Sequence, residues 1–199
     1  MARLLNVNSI YHHLNTVHPL PGASIIHLQG CRKGRTNPCP GCANEDLWSD
    51  EEKWLADPAE LAEMIIHQAA ASALSISGGE PLDQYKPLCT LLKRLKRVQF
   101  SILMWTGYGI SHVIYDFGEV LEWLDYTVTG PYVEQKRVRN NPFISSSNQE
   151  IYCLNDRAQL HLPDFNHLRE HEIVISKNTH DPVCLGCDFT ISSRSQIAK

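Results

Sequence analysis

The segment Gly22–Cys42, GASIIHLQGCRKGRTNPCPGC, joins a short apolar run to three cysteines. The run Gly22–Gly30 reads as a buried strand, since it is short, aliphatic and bounded by glycine. Cys31 follows at once, so the cysteine loop hangs from the carboxyl end of that strand. Cys39-Pro40-Gly41-Cys42 is a C-x-x-C turn, separated from Cys31 by Arg32 to Pro38. Three thiolates supply three corners of an iron–sulfur cube, because soft sulfur suits such clusters. They equally supply three ligands of a tetrahedral zinc site, for which His27 or Cys153 would be the fourth. Gly30, Gly34 and Gly41 let the backbone fold round a compact object.

Composition narrows the class. The chain has 199 residues, of which 43% are hydrophobic, enough for one domain with a real core. Charged residues make up 20% and the formal net charge is −4, so no basic surplus points to nucleic acid. The opening MARLLNVNSIYHH lacks the apolar core of a signal peptide, and no apolar run is long enough for a bilayer. The expectation is a cytoplasmic protein with no membrane partner. In that reducing compartment seven cysteines read as ligands, nucleophiles or core residues rather than disulfides.

Beyond the loop, strands and helices alternate. DPAELAEMIIHQAAAS carries an N-cap at Asp57, a proline at the first turn and apolar residues at Leu61, Met64, Ile65 and Ala69, which predicts an amphipathic helix. ALSISGGEP, Ala73 to Pro81, reads as a second buried strand ending in a glycine turn. YKPLCTLLKRLKR places Leu88, Leu91, Leu92 and Leu95 on one face, with Cys89 in the core and basic residues opposite. That basic face reads as solvated, or as a dock for an acidic electron donor. VQFSILMWTG is a third strand, ISHVIYDFGEVLEWL a helix despite Gly118, and DYTVTG a fourth strand. This alternation predicts an α/β fold with a parallel sheet and right-handed crossovers.

The remainder is irregular. PYVEQKRVRNNPFISSSNQE reads as a long functional loop. EIYCLN, AQLHL and HEIVIS are short strand candidates. The tail KNTHDPVCLGCDFTISSRSQIAK shows no periodicity but holds a second C-x-x-C, Cys184 to Cys187. That pair is either a plain tail feature, a resolving thiol pair, or part of a metal site with Cys153, Cys89 or His180. His12 and His13 read as a surface pair.

The turn Ser77-Gly78-Gly79-Glu80-Pro81 ends a strand, where open α/β sheets and barrels bind ligands. Its glycines expose backbone groups, and Glu80 could take an ammonium group. By itself the turn is also an ordinary strand-to-helix connection. Paired with the cysteine loop, it resembles the radical S-adenosylmethionine (SAM) superfamily. The segments LPGASIIHLQGC and CPGCANEDLW are similar to those of glycyl-radical activating enzymes. MWTGYG, VTGPYVEQKR and NPFISSSNQEIY resemble, in order, three blocks of the anaerobic ribonucleotide reductase activating proteins.

This resemblance, running from about Pro21 to Ile151, implies a partial, open TIM-like barrel of parallel strands with outer helices. It implies a [4Fe-4S] cluster on Cys31, Cys39 and Cys42, with one iron open to the amine and carboxylate of SAM. Ser77, Gly78, Gly79 and Glu80 become contacts to the methionyl end of SAM. Asn44, Thr106 and Gly107 come close to the cofactor, while Trp105 or Tyr108 could pack on adenine. The implied activity is reductive cleavage of SAM to install a glycyl radical on a partner such as anaerobic ribonucleotide reductase. A flavodoxin- or ferredoxin-like protein would supply the electron. A domain over 1–178 would carry this chemistry, with the tail over 179–199 packed on it. The alternatives are a radical SAM enzyme of the same lineage acting on a small molecule or peptide, and a non-catalytic iron–sulfur or zinc protein.

Three departures from the family pattern concern surroundings rather than the core motif. Seven residues separate Cys31 from Cys39 where the family has three, a loop change of small entropic cost. The acid of the family's DGPF segment is Thr129 here, and the arginine of its RGSSNQ loop is Ile144. Asn148 and Gln149 of that loop either line the site or hold the loop together.

Overall fold

The computed structural model describes residues 4–139, 141–159, 172–175 and 182–185. The predicted first strand is present as Ala23–Leu28, but a strand with no prediction precedes it. Leu5–Leu14 is β1, which pairs antiparallel with Ala23–Leu28, β2. Residues Leu5 and Val7 of β1 are fully buried, while the polar residues between them reach partly to solvent. A short strand, Trp54–Ala56 or β3, pairs with the other side of β1. The predicted strands at Ala73–Gly78, Ser101–Thr106 and Tyr126–Thr129 are β4, β5 and β6. Glu150–Cys153 is β7.

These strands form one seven-stranded sheet in the order β3-β1-β2-β4-β5-β6-β7. Only the four central strands are parallel; β1, β3 and β7 join antiparallel. The sheet is open, with β3 and β7 at its edges. The expected parallel sheet therefore describes the centre and not the margins, where hairpin-type pairings extend it.

One face of the sheet is covered by helices. Pro58–Gln68 is α2, after the five-residue α1, Arg32–Thr36, in the cysteine loop. The predicted cap holds: the Asp57 carboxylate accepts from the backbone N–H groups of Ala59 and Glu60 at 2.8 and 3.2 Å. Tyr85–Arg97 is α3, and Leu88, Leu91, Leu92 and Leu95 are fully buried against Ile26, Leu28, Leu74, Ile76, Ile102 and Met104. Cys89 is buried in the same core, as expected. The basic face of α3 is largely committed to neighbours. Lys93 pairs with Glu119, Arg94 with Glu63, and Lys96 with the buried Asp125. Lys86 and Arg97 of the same helix are exposed and in no ion pair among the described residues.

Three further expectations need correction. The helix at Ile110–Phe117, α4, stops before Gly118, and Gly118–Trp123 tightens into a 3-10 stretch. Ala158 and Gln159, expected in a strand, belong to a short helix, Asp156–Gln159 or α5. The rest of that expected strand, 160–162, lies outside the described residues. Within the tail, Pro182–Leu185 forms a strand, β9, paired antiparallel with Glu172–Ile175, β8. Cys184 is on β9, while His180 and Cys187 lie outside the described residues.

The other face of the sheet carries two smaller apolar groups, Leu14, Val17, Ala23, Ile25 and Ala73, then Leu103, Tyr126, Val128 and Phe143. His18 sits between them, only 2% exposed, with its ring edge-on to Tyr126. Its Nδ1 accepts from the backbone N–H of Leu20 at 3.0 Å. Burial pulls the His18 pKa down from 6.5 to about 4, against the nearby Asp125 charge. As pH falls from 6.5 toward 4, the unfolded chain takes a proton that the folded chain refuses, so stability falls. His18→Asn keeps an acceptor for Leu20 and removes the titration. Urea unfolding at pH 7 and again near pH 4.5 should show the variant losing less stability than the wild type, by up to about 3 kcal/mol.

Candidate metal centre

The carboxyl ends of β2, β4 and β5 lie side by side, and the chemistry-bearing residues gather there. After β2, Gly30 takes a φ of +99°, and its N–H donates to the Leu47 carbonyl at 2.8 Å. Cys31 then caps α1, its Sγ accepting from the Gly34 N–H at 3.1 Å. Gly34 is buried under the Trp48 indole, where any Cβ would collide with the ring. The backbone N–H of Cys31 donates to the Trp48 carbonyl at 3.2 Å, and the Cys42 N–H to the Cys39 carbonyl at 3.1 Å. All three thiols of the loop are partly exposed.

The glycine turn packs directly on this loop. Gly79 donates its N–H to the Leu28 carbonyl at 2.8 Å, and Glu80 donates to the Gly30 carbonyl at 2.9 Å. Gly78 has a φ of +110°, and a Cβ at Gly79 would run into the Gly30 carbonyl. Asn44 donates from its side chain to the Gly78 carbonyl at 3.0 Å. Of the turn residues, Ser77 and Gly79 are half-buried; by alternation with the core residues Leu74 and Ile76, Ser77 faces away from the helices.

Glu80 is turned inward. It is 3% exposed and serves three donors: Leu82 N–H at 3.1 Å, Thr106 Oγ1 at 2.8 Å and Gly107 N–H at 2.8 Å. Burial pushes its pKa up to about 7, although those hydrogen bonds favour the charged form. Its carboxylate thus ties the β4 turn to the end of β5, which positions Thr106 and Gly107. Asp83 adds a second tie, accepting from the Arg32 N–H at 2.6 Å and from the Tyr108 hydroxyl at 3.3 Å.

Several residues of this network carried no sequence signal. Gln84 donates to the backbone carbonyls of Asn6 and Gln29, and its side-chain oxygen accepts from the Asn6 N–H at 2.7 Å. Gln29, buried, reaches the Ser49 carbonyl at 2.9 Å. Each is an isolated amide whose partners come from distant chain segments.

The long loop after β6 is also ordered by amides. Gln149 accepts from Ser145 and Ser146 N–H groups and donates to the Gly130 carbonyl at 3.0 Å. Asn148 donates to the Pro131 carbonyl at 2.7 Å. Of the two roles left open by the sequence, holding the loop is the one seen. Trp105 belongs to the same structure, its indole N–H donating to the Phe143 carbonyl at 2.7 Å. Tyr108 stacks on His112 with ring centroids 4.5 Å apart. His12, on β1, bonds to the Ser24 hydroxyl at 2.8 Å rather than lying free.

The thiol chemistry fits an iron–sulfur cluster. Burial raises the pKa of Cys31 and Cys42, against hydrogen bonds from Gly34 to Cys31 and from Asn44 and Trp48 to Cys42. Each of these thiols also feels the charge of another cysteine of the loop. The loop alone therefore favours thiols, and a bound metal supplies the charge that makes them thiolates. Among the described residues, no three His, Cys, Asp or Glu side chains converge on a single metal-ion position. Cys153, considered above as a fourth zinc ligand, pairs with Tyr126 at the opposite end of the sheet. His27 is engaged with Ser9 at 3.2 Å and edge-on with Tyr11.

Residues 22–152 match the family model of the 4Fe-4S single cluster domain. The chain belongs to that family. This single-cluster domain also has curated relatives, each an anaerobic ribonucleoside-triphosphate reductase-activating protein. The one from Haemophilus influenzae is 27% identical over 142 residues, 64% of this chain and 91% of the relative. That from Vibrio cholerae is 24% identical over 157 residues, 71% of this chain and 94% of the relative. The Escherichia coli K12 protein is 24% identical over 139 residues, 65% of this chain and 86% of the relative. The resemblance to activating proteins read from the motifs is therefore present along most of the domain. No helix among the described residues is long and apolar enough to cross a membrane.

Removing the inward carboxylate tests the construction of this site. Glu80→Ala leaves the Leu82 and Gly107 N–H groups and the Thr106 hydroxyl without their acceptor. Denaturant unfolding should show a loss of about 2–4 kcal/mol, as expected for buried donors stripped of a partner.

Proposed function

We propose that this chain is a radical SAM enzyme of the glycyl-radical-activating type. The observation that carries the reading is the direct hydrogen bonding of the cysteine loop to the glycine turn, inside a matched 4Fe-4S domain. When bound, the cluster supplies an electron that splits SAM into methionine and a 5′-deoxyadenosyl radical, which takes a hydrogen atom from the substrate. In this reading the fold is the partial barrel of that superfamily, a domain over residues 1–178, followed by a tail over 179–199.

Cys31, Cys39 and Cys42 hold three irons and leave the fourth for SAM. Ser77, Gly78, Gly79 and Glu80 form the turn that receives the methionyl end, with the half-buried Ser77 and Gly79 nearest solvent. Glu80 shapes this pocket through Thr106 and Gly107 more than by direct charge, since its oxygens already serve three internal donors. Asn44 holds the Gly78 carbonyl in place. The substrate is a backbone glycine of a partner enzyme, in line with the relatives' name, and the partner is an anaerobic ribonucleotide reductase. A flavodoxin- or ferredoxin-like protein donates the electron in the cytoplasm.

A second reading keeps the chemistry and changes the substrate to a small molecule or peptide. It is favoured by α1, a short helix inserted between Cys31 and Cys39 in the expanded cysteine loop.

Anaerobic reconstitution followed by reduction with SAM should yield 5′-deoxyadenosine, measured by mass spectrometry. Cys39→Ala should abolish it. An intact cluster, confirmed by its spectrum, that gives no product would remove the catalytic reading. A glycyl radical signal appearing only with the reductase would separate the first substrate from the second.

A further inference from the structure

Of the seven residues between Cys31 and Cys39, Arg32–Thr36 form α1, which carries three cations, Arg32, Lys33 and Arg35. Arg35 is spoken for: it pairs with Asp50 and donates to the Trp48 carbonyl at 2.8 Å. Arg32 is exposed, and its backbone N–H is held by Asp83. Lys33 differs from both. It is only partly exposed, and its stem lies over Gly107, with Cδ at 3.9 Å from where a Cβ would stand. The stem is thereby in ordinary van der Waals range of the Gly107 position.

Among the described residues Lys33 makes no ion pair and no side-chain hydrogen bond. Glu80 is the nearest acid below it, 3.3 Å from the same Gly107 position. Both Glu80 oxygens are already taken up by Leu82, Thr106 and Gly107. A lysine is thus laid across the lip of the cleft between α1 and the end of β5, without a counter-ion. Its three donors are uncommitted, and the Gly107 segment under its stem is tied through Glu80 to the glycine turn.

We propose that Lys33 is the anion-binding residue of this cleft and takes the carboxylate of the ligand seated on the glycine turn. The inference rests on the SAM reading above, in which that group is the methionyl carboxylate. The expanded cysteine spacing then has a function. It builds the single turn of helix that brings a cation over Gly107.

The test measures binding to the reconstituted holoprotein, with SAM and decarboxylated SAM as the two probes. Cluster content and absorbance spectrum establish that each variant is properly loaded. Lys33→Ala and Lys33→Gln should weaken SAM by about 10- to 100-fold, the usual range for losing a hydrogen bond to a charged group. Lys33→Arg should recover part of that loss. Decarboxylated SAM should bind the variants and the wild type alike. Unchanged SAM affinity in Lys33→Ala and Lys33→Gln overturns the assignment, as does an equal loss for both probes. Wild-type holoprotein that binds neither compound overturns the SAM reading itself, and the Lys33 assignment with it.

Discussion

At the carboxyl ends of β2 and β4 two backbones run closer together than side chains would allow. The N–H groups of Gly79 and Glu80 reach the carbonyls of Leu28 and Gly30, and a methyl group at Gly79 would strike the Gly30 carbonyl. This contact sets the position of Gly30, and Gly30 sets the direction in which Cys31 leaves the sheet. The same turn sends Glu80 inward, where its carboxylate fastens the end of β5. One pair of parallel strands thereby fixes the metal-binding loop, the glycine turn and the Thr106–Gly107 segment relative to one another. Preorganisation of this kind is what a site needs when a cofactor carries the chemistry.

A second layer of polar contacts supports the first. Asn6, Gln29 and Gln84 knit β1, the end of β2 and the turn after Glu80 together. Amide side chains suit this task, since each can donate and accept at once and carries no charge to desolvate. The loop after β6 uses the same chemistry through Asn148 and Gln149. It also touches the cysteine loop, where the Glu134 carboxylate lies against Gly41. Gly41, with a φ of +73°, is the residue in the Cys39–Cys42 turn that leaves room for it.

Charge is distributed with similar economy. Three of the five cations of α3, Lys93, Arg94 and Lys96, are paired with Glu119, Glu63 and Asp125 and join that helix to its neighbours. Exposed pairs such as Lys93–Glu119 add little stability. Lys96–Asp125 is better sheltered, and Asp125 also accepts from the Ile102 N–H at 2.8 Å and from Asn155 at 2.9 Å. Among the described residues, Arg32 and Lys33 of α1 are in no ion pair, and both belong to the segment in which this chain departs from the family's cysteine spacing.

The central strands were legible because β2, β4, β5 and β6 are largely buried on both faces and read as short runs of apolar and small hydroxyl residues between turn signals. The helix α2 was legible from its cap, α3 from its leucine spacing, and the 4Fe-4S domain from the cysteine loop and the motifs around it. β1 was not legible, because its polar residues are half-buried by neighbours rather than by their own pattern. Nor was the end of α4, where Gly118 turns the chain into a 3-10 stretch. By itself the sequence determined which residues could bind metal and where the glycine turn had to be. Only the tertiary structure decided that Glu80 faces inward, that Asn148 and Gln149 hold a loop, and that Cys153 is remote from the other thiols. Each of these depends on partners far away in the chain, and no local pattern of residues encodes a distance.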